Sequence, residues 1–173
     1  AIRAGKKIDG IVVMNTSVTA PKEGFTPTWF HALSHIPIIS DILFRLFNFP
    51  QAFLKKFESI PGSYSDKDIK SYKYPFKKIK NNAGPLALAR MVPNSMAHPS
   101  IPIEQEVEEF LKSYKGPAEI VWGMNDSVMW KLRRRTARLF SQADTIKTDA
   151  GHFVQHETPG KVVKSIIKIF KLS

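Results

Sequence analysis

Two continuous apolar runs rich in β-branched residues, Ile8 to Met14 and Glu119-Ile120-Val121-Trp122, constrain this chain more than any other feature. Such runs read as strands covered on both faces, as in a parallel sheet. From about Pro21 to Tyr114, roughly ninety residues lie between them, far too many for an ordinary crossover. That stretch holds most of the prolines and aromatic residues, and its short helical patterns, such as Ile38 to Phe49, are broken by Pro37 and Pro50. It is expected to form a helical lid over a site; an unrelated inserted domain is the other reading. After the second run come a helix over Trp130–Phe140, a weaker strand over Asp144–Thr148 closed by Asp149-Ala150-Gly151, and a helix from about Pro159 to Phe170. The last has Val162, Val163, Ile166, Ile167 and Phe170 at helical spacing. Strand, helix, strand, helix predicts an α/β fold with a mostly parallel, doubly wound sheet. The expected division is 1–20 as a core strand and its end, 21–114 as the helical cap, and 115–173 as core α/β.

Composition narrows the class without fixing the function. At 173 residues, 43% hydrophobic and 24% charged, the chain suits an ordinary globular fold. It has no cysteine, so disulfide frameworks and thiolate metal sites are excluded, and no metal or other cofactor is expected. No run reaches the roughly 18 apolar residues of a membrane span. Ala1 to Lys7 shows no signal-peptide pattern and reads as the end of a helix cut from something longer, so a cytoplasmic location is expected. The net charge of +11 raises nucleic acid and anionic surfaces as partners. Yet the densest run, Lys131 to Arg138, has Leu132, Leu139 and Phe140 as its apolar side, and no aromatic residues interleave with its arginines as base stacking requires. A solvated basic surface is the expectation, with no nucleic-acid partner.

Two loops follow strand ends, where open α/β sheets place ligand-handling residues. They are Trp122-Gly123-Met124-Asn125-Asp126-Ser127 and Thr148-Asp149-Ala150-Gly151-His152-Phe153-Val154-Gln155-His156-Glu157. The intervening helix returns the chain to the neighbouring strand, so Asp126 and His152 can meet. A carboxylate on one imidazole nitrogen fixes the tautomer and leaves the other nitrogen free as a base. Asp149 is the fallback acid, though reaching back from the histidine's own loop is harder. A lone histidine after a glycine is usually an exposed loop residue; the pairing at successive strand ends sets this one apart.

At these residues the sequence resembles a family. Gly123-Met124-Asn125-Asp126 and Asp149-Ala150-Gly151-His152-Phe153-Val154-Gln155 are similar to the two late motifs of haloalkane dehalogenases, members of the α/β-hydrolase superfamily. Met14-Asn15-Thr16 resembles the strand end before that family's cap, and Gly24-Phe25-Thr26-Pro27-Thr28-Trp29 the start of the cap. Pro93-Asn94-Ser95-Met96-Ala97-His98-Pro99-Ser100 is similar to a cap-exit motif of relatives that include β-lactone decarboxylases. The resemblance implies Asp126 as catalytic acid and His152 as base in a hydrolase that cleaves a carbon–halogen bond through an aspartyl ester. It implies a small apolar substrate such as a haloalkane, in an apolar pocket lined by Trp29, Phe25 and part of Ile38–Phe49, with Trp29 as a halide donor. Plain lid packing is the alternative for Trp29.

The departure from the family is large. Its nucleophile lies on a sharp turn after an earlier strand, and Met14-Asn15-Thr16-Ser17 is not such an elbow, lacking flanking small residues and a following helix. The nucleophile is therefore expected from an N-terminal half of the same enzyme or from a second chain, and this chain alone is expected to be inactive. An epoxide hydrolase, esterase or β-lactone decarboxylase would use the same Asp126–His152 pair. Epoxide opening calls for cap tyrosines, and Tyr64, Tyr72 and Tyr74 are candidates that read more simply as surface residues. A non-catalytic binding module is the reading from another class.

Overall fold

The computed structural model describes residues 7–171, which divide into two compact units. The helix end expected over Ala1 to Lys7 lies, apart from Lys7, outside the described residues. In chain order the elements are β1 (Ile11–Met14), α1 (Trp29–Ser34), α2 (Ile39–Asp41, continuing into a π-helical turn over Ile42–Leu46), α3 (Phe49–Ala52), α4 (Asp66–Lys73), α5 (Ala83–Arg90), α6 (Ile101–Ser113), β2 (Ala118–Gly123), α7 (Arg133–Leu139), β3 (Asp144–Thr148), α8 (Val154–Glu157) and α9 (Pro159–Phe170).

The first unit comprises 7–19, Phe57–Ser63 and 105–171. Among the described residues its sheet is parallel with order β1-β2-β3. Ile11 stands opposite Ala118 and Met14 opposite Val121, while Glu119 faces Asp144 and Gly123 faces Thr148. β2 is buried along its whole length, as a central strand with both faces covered must be. On one face Val13, Ile120 and Trp122 pack with Leu111 of α6, with Ala137 and Leu139 of α7, and with Phe140. On the other, Val12, Met14 and Val121 meet Ala150, Val154 of α8 and Val162 of α9. The fully buried large side chains among them, Ile120, Val121, Trp122, Phe140 and Val154, each stabilise the unit by about 1.5–3 kcal/mol relative to exposure. Helices on both faces of a parallel sheet make this the doubly wound arrangement the sequence predicts.

The second unit, Ala20–Lys56 with Tyr64–Glu104, is helical. Phe44, Leu86 and Ala89 form its core, with Phe30, Leu43 and Phe49 packed against them. Arg90 ties α5 to the first two helices, its Nε donating to the Ser34 carbonyl at 3.0 Å and its guanidinium to Ser40 Oγ and the Asp41 carboxylate, both at 2.8 Å. Ser65 and Asp68 form a reciprocal capping box that starts α4.

Several boundaries and placements differ from the sequence expectation. β1 begins at Ile11 rather than Ile8, and Gly10 just before it lies so close to α9 that a Cβ there would run into Ile169 and Phe170. The helix expected over Trp130–Phe140 starts as a 3₁₀ turn, Trp130–Leu132. The Ile38–Phe49 pattern is broken twice, by positive φ at Ile38 (66°) and at Asn48 (49°). Phe57–Ser63, inside the 21–114 insertion, groups with the sheet unit. Tyr64 is not a surface residue but buried, whereas Tyr72 and Tyr74 are exposed.

Candidate active site at the strand ends

Three strand ends converge because the chain lets their backbones come unusually close. A Cβ at Gly123 would collide with the carbonyl oxygens of Ala150 and Gly151, so only glycine fits where β2 ends. The two loops are then zipped together by backbone bonds, Met124 N to Thr148 O at 2.8 Å and Asn125 N to Ala150 O at 3.1 Å. Asn125 adds a bond from its side-chain amide to the Asp149 carbonyl, 2.8 Å.

That zip brings Asp126 and His152 together. His152 Nδ1 lies 3.1 Å from Asp126 Oδ2, within hydrogen-bond reach. The same carboxylate accepts from Asn15 Nδ2 at 2.8 Å, from Val128 N at 2.7 Å and from Met129 N at 3.0 Å. Its side chain is fully buried, while that of His152 is 24% exposed. Burial alone would raise the Asp126 pKa; the hydrogen bonds from His152, Met129 and Val128 together outweigh it and hold the carboxyl below its ordinary value. A buried, ionised acceptor on Nδ1 calls for a proton there, which leaves Nε2 with a lone pair. The imidazole is flanked by the rings of Phe57 and Phe153, with centroids at 6.3 and 5.0 Å.

Two further residues build this site without a role in the sequence reading. Asn15, at the end of β1, uses its whole side-chain amide: Oδ1 accepts from Gly123 N at 2.8 Å, and Nδ2 donates to Asp126 and to the Gly151 carbonyl, each at 2.8 Å. One buried side chain thus locks all three strand ends, and its φ of 24° is a strained geometry that these bonds sustain. Glu157 accepts from the backbone amides of Gly151 at 2.9 Å, Ser59 at 3.1 Å and Ile60 at 3.2 Å, fastening the histidine loop to Phe57–Ser63. Gly151 is needed for that approach, since a Cβ would meet Ser59 Oγ and the Phe57 carbonyl. The only local signal for Asn15 is a buried-type strand that ends in an amide.

The other sequence candidates are Asp149 and Trp29. Asp149 contributes its backbone carbonyl to the zip, and Asp126 is the carboxylate on His152 Nδ1. Trp29 starts α1 in the helical unit with edge-on contacts to Phe30 and Phe49, and it is 70% exposed. Among the described residues no group of three or more His, Cys, Asp or Glu side chains could hold a metal, and no helix is long and apolar enough to cross a membrane.

The sequence matches no protein-family model and no curated protein. Solved structures do match. The haloalkane dehalogenase DbeA from Bradyrhizobium elkani aligns over 96% of this chain at 15% identity and a TM-score of 0.75. The haloalkane dehalogenase DatA from Agrobacterium tumefaciens aligns over 99% at 16% identity and a TM-score of 0.76. The tetrameric haloalkane dehalogenase DpaA from Paraglaciecola agarilytica aligns over 99% at 15% identity and 0.69. This chain spans 61% of the length of the first two and 55% of the third. Its fold is therefore that of part of an α/β-hydrolase.

Proposed function

We propose that this chain supplies the base and acid of a haloalkane dehalogenase-type hydrolase whose nucleophile lies outside these residues. The observation that carries the reading is the buried Asp126 carboxylate on Nδ1 of His152. An aspartate contributed by an N-terminal half, or by a second chain, attacks the carbon of a small apolar haloalkane and expels halide, leaving an alkyl ester. His152 Nε2 then takes a proton from water as the water oxygen attacks the ester carbonyl, and Asp126 stabilises the imidazolium that forms. Cleavage of the acyl carbon–oxygen bond, with the proton returned to the departing oxygen, releases the alcohol and regenerates the aspartate. Asn15 and Glu157 act as positioning residues, the first on the acid and the second on the histidine loop.

Halide release tests this reading. This chain alone should turn over no haloalkane, ester or epoxide, because an acid and a base do not replace a nucleophile and an anion hole. Together with the segment that bears the nucleophile, it should release halide from short haloalkanes, measured by ion chromatography. A complete protein that hydrolyses esters yet never releases halide would move the assignment to an esterase built on the same pair.

A further inference from the structure

From Ser127 to Ala143 the chain holds five basic residues and no acidic one. The stretch buries Thr136 and Phe140 and packs Leu132, Ala137 and Leu139 against the core of the sheet unit. Its outward side carries Trp130, Lys131, Arg134 and Arg138, all exposed, with the indole 60% open to solvent. Trp130, Arg134 and Arg138 follow one another at intervals of four, so they form one line along α7 and the turn before it. The start of that line is anchored at the candidate site. Asp126 Oδ1 accepts from Val128 N and Met129 N, and Leu132 N donates to the Met129 carbonyl at 2.9 Å.

Two properties set this line apart from an ordinary solvated face. The first is unbalanced charge. Arg135, beside the line, pairs with Glu108 of α6 at 3.6 Å, whereas among the described residues Lys131, Arg134 and Arg138 form no ion pair. Like charges three and four residues apart, Lys131 with Arg134 and Arg134 with Arg138, work against the helix, and an anionic surface would relieve that repulsion. The second is the indole at the water boundary, with the Lys131 ammonium over its ring at 5.2 Å from the centroid.

We propose that this face of α7 docks peripherally on an anionic lipid surface, with Lys131, Arg134 and Arg138 on the headgroups and the Trp130 indole at the boundary with the acyl chains. Charge complementarity selects a negative partner, on a chain of net charge +11. The indole selects lipid. At headgroup level its ring meets acyl chain while its N–H meets water, and the neighbouring cations meet anionic headgroups. A nucleic acid would call for rings placed along its path, but here a single ring stands at one end of the line, under Lys131. The proposal is independent of the chemistry at His152.

The test is co-flotation of the complete native protein with vesicles of phosphatidylcholine mixed with phosphatidylserine, against vesicles of phosphatidylcholine alone. Binding is expected to the anionic vesicles only, and it should weaken with added salt. Arg134→Glu combined with Arg138→Glu should weaken it by about 25-fold or more, at roughly fivefold for each basic residue lost near such a surface. The same reversal at Lys67 and Lys70, exposed on α4, should leave binding unchanged. Brominated phosphatidylcholine in the anionic vesicles should quench the tryptophan fluorescence of the native protein, and Trp130→Phe should remove that quenching. Absence of binding to the anionic vesicles would overturn the proposal, as would an equal loss from the Lys67 and Lys70 variant or quenching that survives Trp130→Phe. Tighter binding to single-stranded DNA than to the vesicles, lost in the same arginine variant, would overturn it in favour of a nucleic acid.

Discussion

After exposure to a short haloalkane, the complete protein with His152→Ala should gain the mass of the substrate minus halide and stop there. The expectation follows from a division of labour between the two half-reactions. The attacking carboxylate is already ionised and needs no base, so alkylation proceeds. Water is a poor nucleophile at neutral pH, and without Nε2 to take its proton the ester persists. Turnover should fall by at least about 10²–10⁴-fold, the usual worth of a positioned base, while the first equivalent of halide is still released. The substitution leaves three of the four hydrogen bonds on Asp126 in place, from Asn15, Val128 and Met129, so the site itself should survive. Intact-mass analysis reads the adduct, and peptide mapping places it outside this sequence. A variant that turns over at the wild-type rate, or that never becomes alkylated, contradicts the role given to His152.

Asp126→Asn should damage both stability and chemistry. An amide can keep accepting from Val128 and Met129 with its oxygen, but its NH₂ then faces the Asn15 amide and His152 Nδ1, donor against donor. Leaving such groups unsatisfied in a buried site should cost about 2–4 kcal/mol at neutral pH, measured by denaturant unfolding. The pH dependence has a definite sign. Asp126 is held below its ordinary pKa in the folded state, so its contribution is fully present above the unfolded value of about 4 and is lost as pH falls through the folded value. The wild-type protein should therefore lose stability more steeply in acid than the variant, and the two should converge at low pH. Histidine can relieve the donor clash by moving its proton to Nε2, which turns the bare nitrogen toward the amide and away from water. For the complete enzyme that wrong tautomer should lower kcat by about 10³–10⁴-fold.

How much of this was readable in advance depended on sequence distance. β3 and α9 sit where a β-branched run and a 3.6-residue apolar period place them, because local pattern alone sets those elements. Asp126 and His152 were legible as a pair because a strand–helix–strand unit returns the chain to the neighbouring strand end. Asn15 was not, since its partners lie 108, 111 and 136 residues away and nothing near it in the sequence announces them. Glu157 was hidden for the same reason, with Ser59 and Ile60 contributing backbone amides that any residue would supply. The break at Ile38 ran against propensity, a β-branched residue holding φ of 66° where local rules favour glycine or asparagine. The exposure of Trp29 also lay beyond local pattern, because a cap-entry motif fixes where a residue falls in the chain and not what covers it.

The tautomer of His152 tests the central claim most directly, and ¹⁵N NMR of the imidazole nitrogens reads it. The chain has five histidines, and the His152 signals are assigned by their loss in His152→Ala. His156 provides an internal contrast, since its Nε2 lies 2.9 Å from the Ser63 carbonyl and must carry the proton to donate to it. In the neutral ring of His152 the proton is expected on Nδ1, bonded to Asp126, with Nε2 bare and able to act as a base. A neutral His152 with its proton on Nε2 would contradict the account.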